Sequence, residues 1–147
     1  MWVRAVDVPL HHPTHGEMRF VPYPYQKRLL TDRSHMRIVL KSRQTGISQA
    51  LAVETAHAAI HKPNSTHLWL SKDQESAAQV LGYVKTVLYG IGVKLVKDQE
   101  TSIKLANGSR VASLPASPSS GRSFAATSVY LDEFAFARYH QQLYTAV

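Results

Sequence analysis

Residues 38–50 read IVLKSRQTGISQA, and the way this stretch is divided decides the fold. RIVLKS (37–42) is a short, β-branched run that reads as a buried strand. ISQALAVETAHAAIH (47–61) reads as a helix rich in alanine, whose small side chains would let it lie close against a sheet, and Pro63 stops it. A strand that turns through a glycine into a helix is the setting of a phosphate-binding loop, G-x-x-x-x-G-K-[ST]. On that frame Gly46 is the second glycine and Ser48 the closing hydroxyl, but Ile47 fills the lysine slot and Lys41 the first-glycine slot. Backbone N–H groups of Gln44, Thr45, Gly46, Ile47 and Ser48 would face phosphate oxygens without help from a lysine. Lys41 and Ser42 open the turn; Lys41 is placed to reach back over it, and Arg43 offers a planar donor fork. Taken alone, the stretch equally suits an ordinary strand-to-helix turn with two solvated cations.

Working outward, THLWLS (66–71) is a second strand. Ser71 with Gln74 forms a capping-box pattern before a helix whose apolar face is Ala77, Val80, Leu81, Val84 and Leu88, ending at Gly90 or Gly92. Asn107-Gly108, between two alternating runs, signals a hairpin. SPSSGRSFAAT is a loop, and SVYLDEFAFA (128–137) is an apolar strand carrying two adjacent carboxylates. YQKRLLTDR (25–33) suits a short helix, and residues 1–24 read as an irregular lead-in. His11, His12 and His15 lack carboxylate or cysteine partners and read as polar loop rather than a metal site. The order strand, helix, strand, helix, hairpin, strand predicts an α/β domain with a mainly parallel sheet.

The chain has 147 residues, 17 basic and 10 acidic side chains and a net charge of +7. Eight basic and three acidic residues fall in the first fifty, so the excess sits near the N-terminus. Such a surface attracts polyanions, nucleic acid above all. Cysteine is absent, which excludes disulfides, thiolate metal sites and cysteine nucleophiles. No apolar run is long enough to span a bilayer.

Asp132 and Glu133 arrive at the end of an apolar strand. Phosphoryl transfer needs one carboxylate for magnesium and a second group to orient the attacking water. Two surface carboxylates would look the same in isolation, but here they follow the glycine loop in the chain order such a site requires. Upstream, Tyr25 offers a face for a base and Gln26 has the donor and acceptor that pair with adenine.

With these segments in place, the chain resembles the N-terminal ATPase region of the large terminase subunit, the DNA-packaging motor of tailed bacteriophages. PYQKRLL is similar to its adenine-recognising motif and KSRQTGIS to a Walker A loop with the lysine moved to its start. LPASPSSGRSFAATSVYLDEFAF is similar to the stretch leading into Walker B, and SIKLANGSRVASLPA to the hairpin before it. The resemblance covers roughly residues 20–137. It implies a P-loop NTPase-type three-layer sandwich with a mainly parallel sheet. It implies ATP and magnesium as cofactors. Lys41 and Arg43 would contact phosphates, Ser48 and Asp132 hold the metal, Glu133 activate water with Arg43 at the γ-phosphate, and Tyr25 and Gln26 hold the base. Double-stranded DNA, the small terminase subunit and the portal protein would be partners of a homo-oligomeric motor, in the host-cell cytoplasm at the procapsid. Lys72 and Arg122 are candidate DNA contacts. Fourteen residues follow Glu133, too few for the further strands and nuclease domain of such proteins. The expectation is therefore a partial P-loop ATPase domain over 25–147, incomplete and without the nuclease. Another nucleic-acid ATPase of helicase type, or a non-hydrolysing DNA- or capsid-interaction fragment, would use the same loop.

Overall fold

A computed structural model describes residues 8–12, 16–117, 120, 124–136 and 141. The centre is a five-stranded sheet built from β3 (Thr66–Ser71), β4 (Leu95–Asp98), β5 (Ser102–Leu105), β6 (Arg110–Pro115) and β7 (Ser128–Leu131), in the order β4-β5-β6-β3-β7. β3 pairs in parallel with both β6 and β7, while β4–β5 and β5–β6 are antiparallel. The sheet is therefore mixed, which corrects the expectation of a mainly parallel one. The antiparallel half follows from the hairpin: Asn107-Gly108 turns the chain back, and Lys104 pairs with Arg110.

Helices α2 (Ile47–His61) and α3 (Gln74–Gly90) cover one face. Val53, Ala56, Val80, Leu81 and Val84 meet Trp69, Ile103 and Val111 there in the main core. α2 is buried nearly all round, with Ala50, Ala52, Val53, Thr55, Ala56 and Ala59 almost wholly enclosed, which is why alanine dominates it. α3 shows the expected one-sided stripe. The opposite sheet face, Leu68, Leu70 and Ala112, packs against Leu114, Ala116, Phe124, Ala126, Val129, Leu131 and Phe134. Those residues belong to strands, loop and a short 3-10 turn (Phe134–Phe136), so among the described residues no helix forms a third layer. The three-layer sandwich is overturned by this arrangement.

Three local expectations also change. Residues 37–42 do not form a strand. Ile38 and Leu40 are 98 % and 101 % exposed, and the segment is held by a charge: Arg37 Nη2 bonds both Glu54 oxygens of α2 at 2.8–2.9 Å, and its Nη1 donates to Leu29 O at 2.8 Å. An apolar run becomes a strand only where a neighbour supplies a ladder. Among the described residues none pairs with this segment or with the outer edge of β7. Ser71 ends β3, and the cap of α3 is Asp73, whose carboxylate accepts from Ser76 N at 2.8 Å. The lead-in holds a hairpin of β1 (Pro9–His12) and β2 (Gly16–Arg19), anchored by buried Val8 and Phe20 through a 2.7 Å backbone bond. It packs on α3, where a Cβ at Gly90 would overlap the Pro9 ring. The expected short helix forms as α1 (Pro24–Thr31) and packs on α2.

Candidate functional site

The loop between Lys41 and α2 is shaped by two left-handed residues, Gln44 (φ 59°) and Gly46 (φ 67°). Gly46 caps α2, so the helix N-terminus opens onto the loop, where unpaired N–H groups carry partial positive charge. Ile47, the first helical residue, is 6 % exposed and lies in the core. Its side chain is absent from the loop surface; only its backbone belongs to it.

β7 delivers its carboxylates to the same place. Leu70 pairs with Leu131, and Asp132 N donates to Leu70 O at 2.9 Å, so the turn after β7 sits at the C-terminal edge of the parallel strands. Ser48 Oγ lies 3.2 Å from both Asp132 carboxylate oxygens, across 84 residues of sequence. Lys41 Nζ donates to Ser48 Oγ at 3.4 Å and stands 3.6 Å from Asp132 Oδ1. A cation, a hydroxyl and a carboxylate thus meet at the mouth of a helix N-terminus. Tyr83 adds to the electrostatics: burial, then Asp132, pushes its phenol above the ordinary value.

Glu133 does not join this trio. It adopts a left-handed backbone (φ 51°), and its Oε2 pairs with Lys72 Nζ at 3.1 Å. That bond, then the Glu133 charge, raises the Lys72 ammonium above its usual value, with exposed Arg43 acting weakly in the opposite sense. Sequence reading missed this pair, which rests on the β3–β7 register. Leu70 and Leu131 are in register, so the residues two places beyond each of them, Lys72 and Glu133, are neighbours. Ser42 contributes its carbonyl to Thr45 Oγ1 at 3.2 Å. Ser42, Arg43 and Gln44 are exposed.

α1 reaches the loop from the other side. Tyr25 OH donates to Thr45 O at 2.8 Å, and Gln26 Nε2 donates to Thr45 O at 3.1 Å and Gly46 O at 3.2 Å. Tyr23 and Tyr25 stack 5.6 Å apart, both exposed. Arg122, His15 and residues 137–140 lie outside the described residues, and among those described no group of three metal-ligating side chains occurs. Ser48 and Asp132 nevertheless suit magnesium: both present hard oxygens, and this ion is commonly held by one or two protein oxygens with the rest from phosphate and water. No helix among the described residues is long and apolar enough to cross a membrane. No known family model matches the chain, and no curated protein matches it.

Proposed function

We propose that the chain is a nucleotide-binding motor domain of the terminase type, holding magnesium and ATP at the Lys41–Ser48–Asp132 mouth and acting on double-stranded DNA. One observation carries this reading: Lys41, Ser48 and Asp132 converge at the N-terminus of α2 although Asp132 lies 84 residues beyond Ser48. The loop's N–H groups would hold the phosphates, and Lys41 would supply the charge that a lysine at position 47 ordinarily gives. Ser48 and Asp132 would hold the metal, which neutralises phosphate charge when bound. Glu133, one residue beyond, would orient and accept the proton of the attacking water; Arg43 sits at the exposed lip, where a γ-phosphate would end. The net charge of +7 suits a DNA backbone partner.

Calorimetric titration with ATP, with and without magnesium, tests the reading. Magnesium-dependent binding that Lys41→Ala abolishes supports it; binding unaffected by magnesium and by Lys41→Ala refutes it. A second reading, nucleotide binding without hydrolysis, is favoured by the Lys72–Glu133 ion pair, which occupies the carboxylate needed for water. Turnover measured on the same preparation separates the two. The remaining partners of the resemblance, the small subunit and portal protein, and a location at the procapsid belong to the same proposal.

A further inference from the structure

The Gln26 side chain is 3 % exposed, and nearly all its hydrogen-bonding capacity is spent inside the protein. Oε1 accepts from Tyr23 N at 2.9 Å, while Nε2 donates to the carbonyls of Thr45 and Gly46. An amide can be turned either way in a structure, but these partners agree on one orientation: an N–H must face Oε1, and two carbonyls must face Nε2. Reading adenine takes an outward-facing donor and acceptor together. To do so Gln26 would have to turn away from Tyr23 N, leaving that N–H without its Oε1 acceptor and the Thr45 and Gly46 carbonyls with one donor each. A lost bond of that kind costs about tenfold in an equilibrium constant. A bidentate base pairing returns about the same. Nothing is gained by the exchange.

The contacts have another consequence. Carbonyl oxygens carry partial negative charge and would repel a phosphate. The Thr45 carbonyl is drawn toward α1 by two donors, Tyr25 Oη and Gln26 Nε2, and the Gly46 carbonyl by Gln26 and by Ala50 N of α2. With those oxygens held, the loop presents its N–H groups to the other side. Gly46 is required twice over: its φ is left-handed, and a Cβ there would stand 2.8 Å from Gln26 Nε2.

Building on the nucleotide-binding reading above, we propose that Gln26, helped by Tyr25, is a positioning residue that sets the polarity of the phosphate loop, and that the site selects the triphosphate and not the base. The stacked Tyr23 and Tyr25 rings offer any base a face, without hydrogen-bond discrimination. The ligand class is nucleoside triphosphates in general, with inorganic tripolyphosphate bound through the same groups.

The test is calorimetric binding of ATP, GTP and tripolyphosphate, each with magnesium, to the full chain and two variants. The wild type should bind ATP and GTP within about fivefold of each other. Gln26→Glu keeps Oε1 but exchanges both N–H donors for an acceptor and a negative charge; it should weaken all three ligands about tenfold or more, and Tyr25→Phe, which adds no charge, separates loop polarity from simple repulsion. Tyr25→Phe keeps the ring and the fold, because the lost hydroxyl is exposed, and should weaken all three by a common, smaller factor of about three. Tyr25→Phe therefore decides the matter should Gln26→Glu not fold. A Gln26→Glu loss confined to ATP, with GTP and tripolyphosphate unchanged, would overturn the proposal and leave the nucleotide site standing. So would a Tyr25→Phe variant that binds all three like the wild type. Failure of the wild type to bind any of the three would instead overturn the nucleotide reading itself, and this proposal with it.

Discussion

Lys41→Ala and Ile47→Ala should separate binding from stability. Lys41 Nζ lies 3.4 Å from Ser48 Oγ and 3.6 Å from Asp132, with its side chain 30 % exposed. A partly exposed ion pair of this kind contributes below about 1 kcal/mol to folding. A charge-assisted bond to a phosphate is worth about 1.5–3 kcal/mol, or roughly 10- to 150-fold in affinity. Lys41→Ala should therefore weaken magnesium-ATP binding at least tenfold and barely move the melting temperature. Ile47 is the reverse case. It is 6 % exposed against the core, and truncating a buried isoleucine to alanine costs about 2–3 kcal/mol at the lower end of the usual range. For a chain of this size that lowers the midpoint by roughly 5–10 °C. Its backbone N–H stays in place, so binding by the folded fraction should change less than about threefold, a small residual next to the charge loss. Urea unfolding gives the stability term, and calorimetry at a temperature where both variants are fully folded gives the binding term. Equal losses of affinity from the two substitutions would mean that position 47 meets the phosphate after all, and the displaced-charge reasoning would fail.

Other perturbations test separate parts of the structure. His67 is enclosed between the Ser65 and Ser128 hydroxyls, and burial, then the Lys62 charge, lowers its pKa to about 4. It is neutral in the fold, so its contribution is complete above the ordinary value of 6.5 and is lost as pH falls toward 4. The amount is about 3 kcal/mol, and it should vanish from the pH–stability profile of His67→Gln; parallel profiles for variant and wild type would contradict this. Gly90→Ala should push Pro9 away and loosen the β1–β2 hairpin, costing about 1–3 kcal/mol, with faster amide exchange at Phe20 N; unchanged exchange would count against that contact. Glu133→Gln should bind magnesium-ATP within about threefold of wild type yet abolish turnover, whereas Lys72→Ala should raise turnover by freeing the carboxylate. A Lys72→Ala variant with lower turnover would make Lys72 part of the reacting site.

What could be read in advance were elements whose identity is local. α2 and α3 carry long helical patterns with a proline or glycine stop, and the β5–β6 hairpin carries Asn107-Gly108 at its turn. β3 and β7 are apolar runs that did find neighbours. The run at 37–42 has the same composition but no ladder, and composition cannot report a partner that is not adjacent. The β1–β2 hairpin lacks alternation; Val8, Phe20 and the Pro9–Gly90 contact hold it from outside. In the site, the Ser48–Asp132 pairing was legible from chain order, a glycine loop opening a helix and carboxylates ending a later strand, although the strand expected before the loop does not form. The Lys72–Glu133 pair was not, because it depends on the β3–β7 register. Gln26 was legible as a polar group beside the loop, but not its bonds to Tyr23, Thr45 and Gly46, which need the α1–loop contact.

Ile47 and Lys41 are two sides of one constraint. α2 is enclosed on nearly every side, and its first residue already faces the core. A lysine at 47 would have to bury its ammonium or pull the helix start away from the sheet, and an unpaired buried charge is among the costliest groups a fold can hold. On the nucleotide-binding reading proposed above, the cation would then come from a residue outside the helix. Lys41 satisfies this: it precedes the turn, is partly solvated, and its stem is long enough to reach Ser48 and Asp132. On that reading the loop keeps its N–H groups and its hydroxyl while its charge stands six residues upstream of the usual slot. The same enclosure of α2 leaves α1 as the element free to grip the loop's carbonyls, and that is where Tyr25 and Gln26 are found.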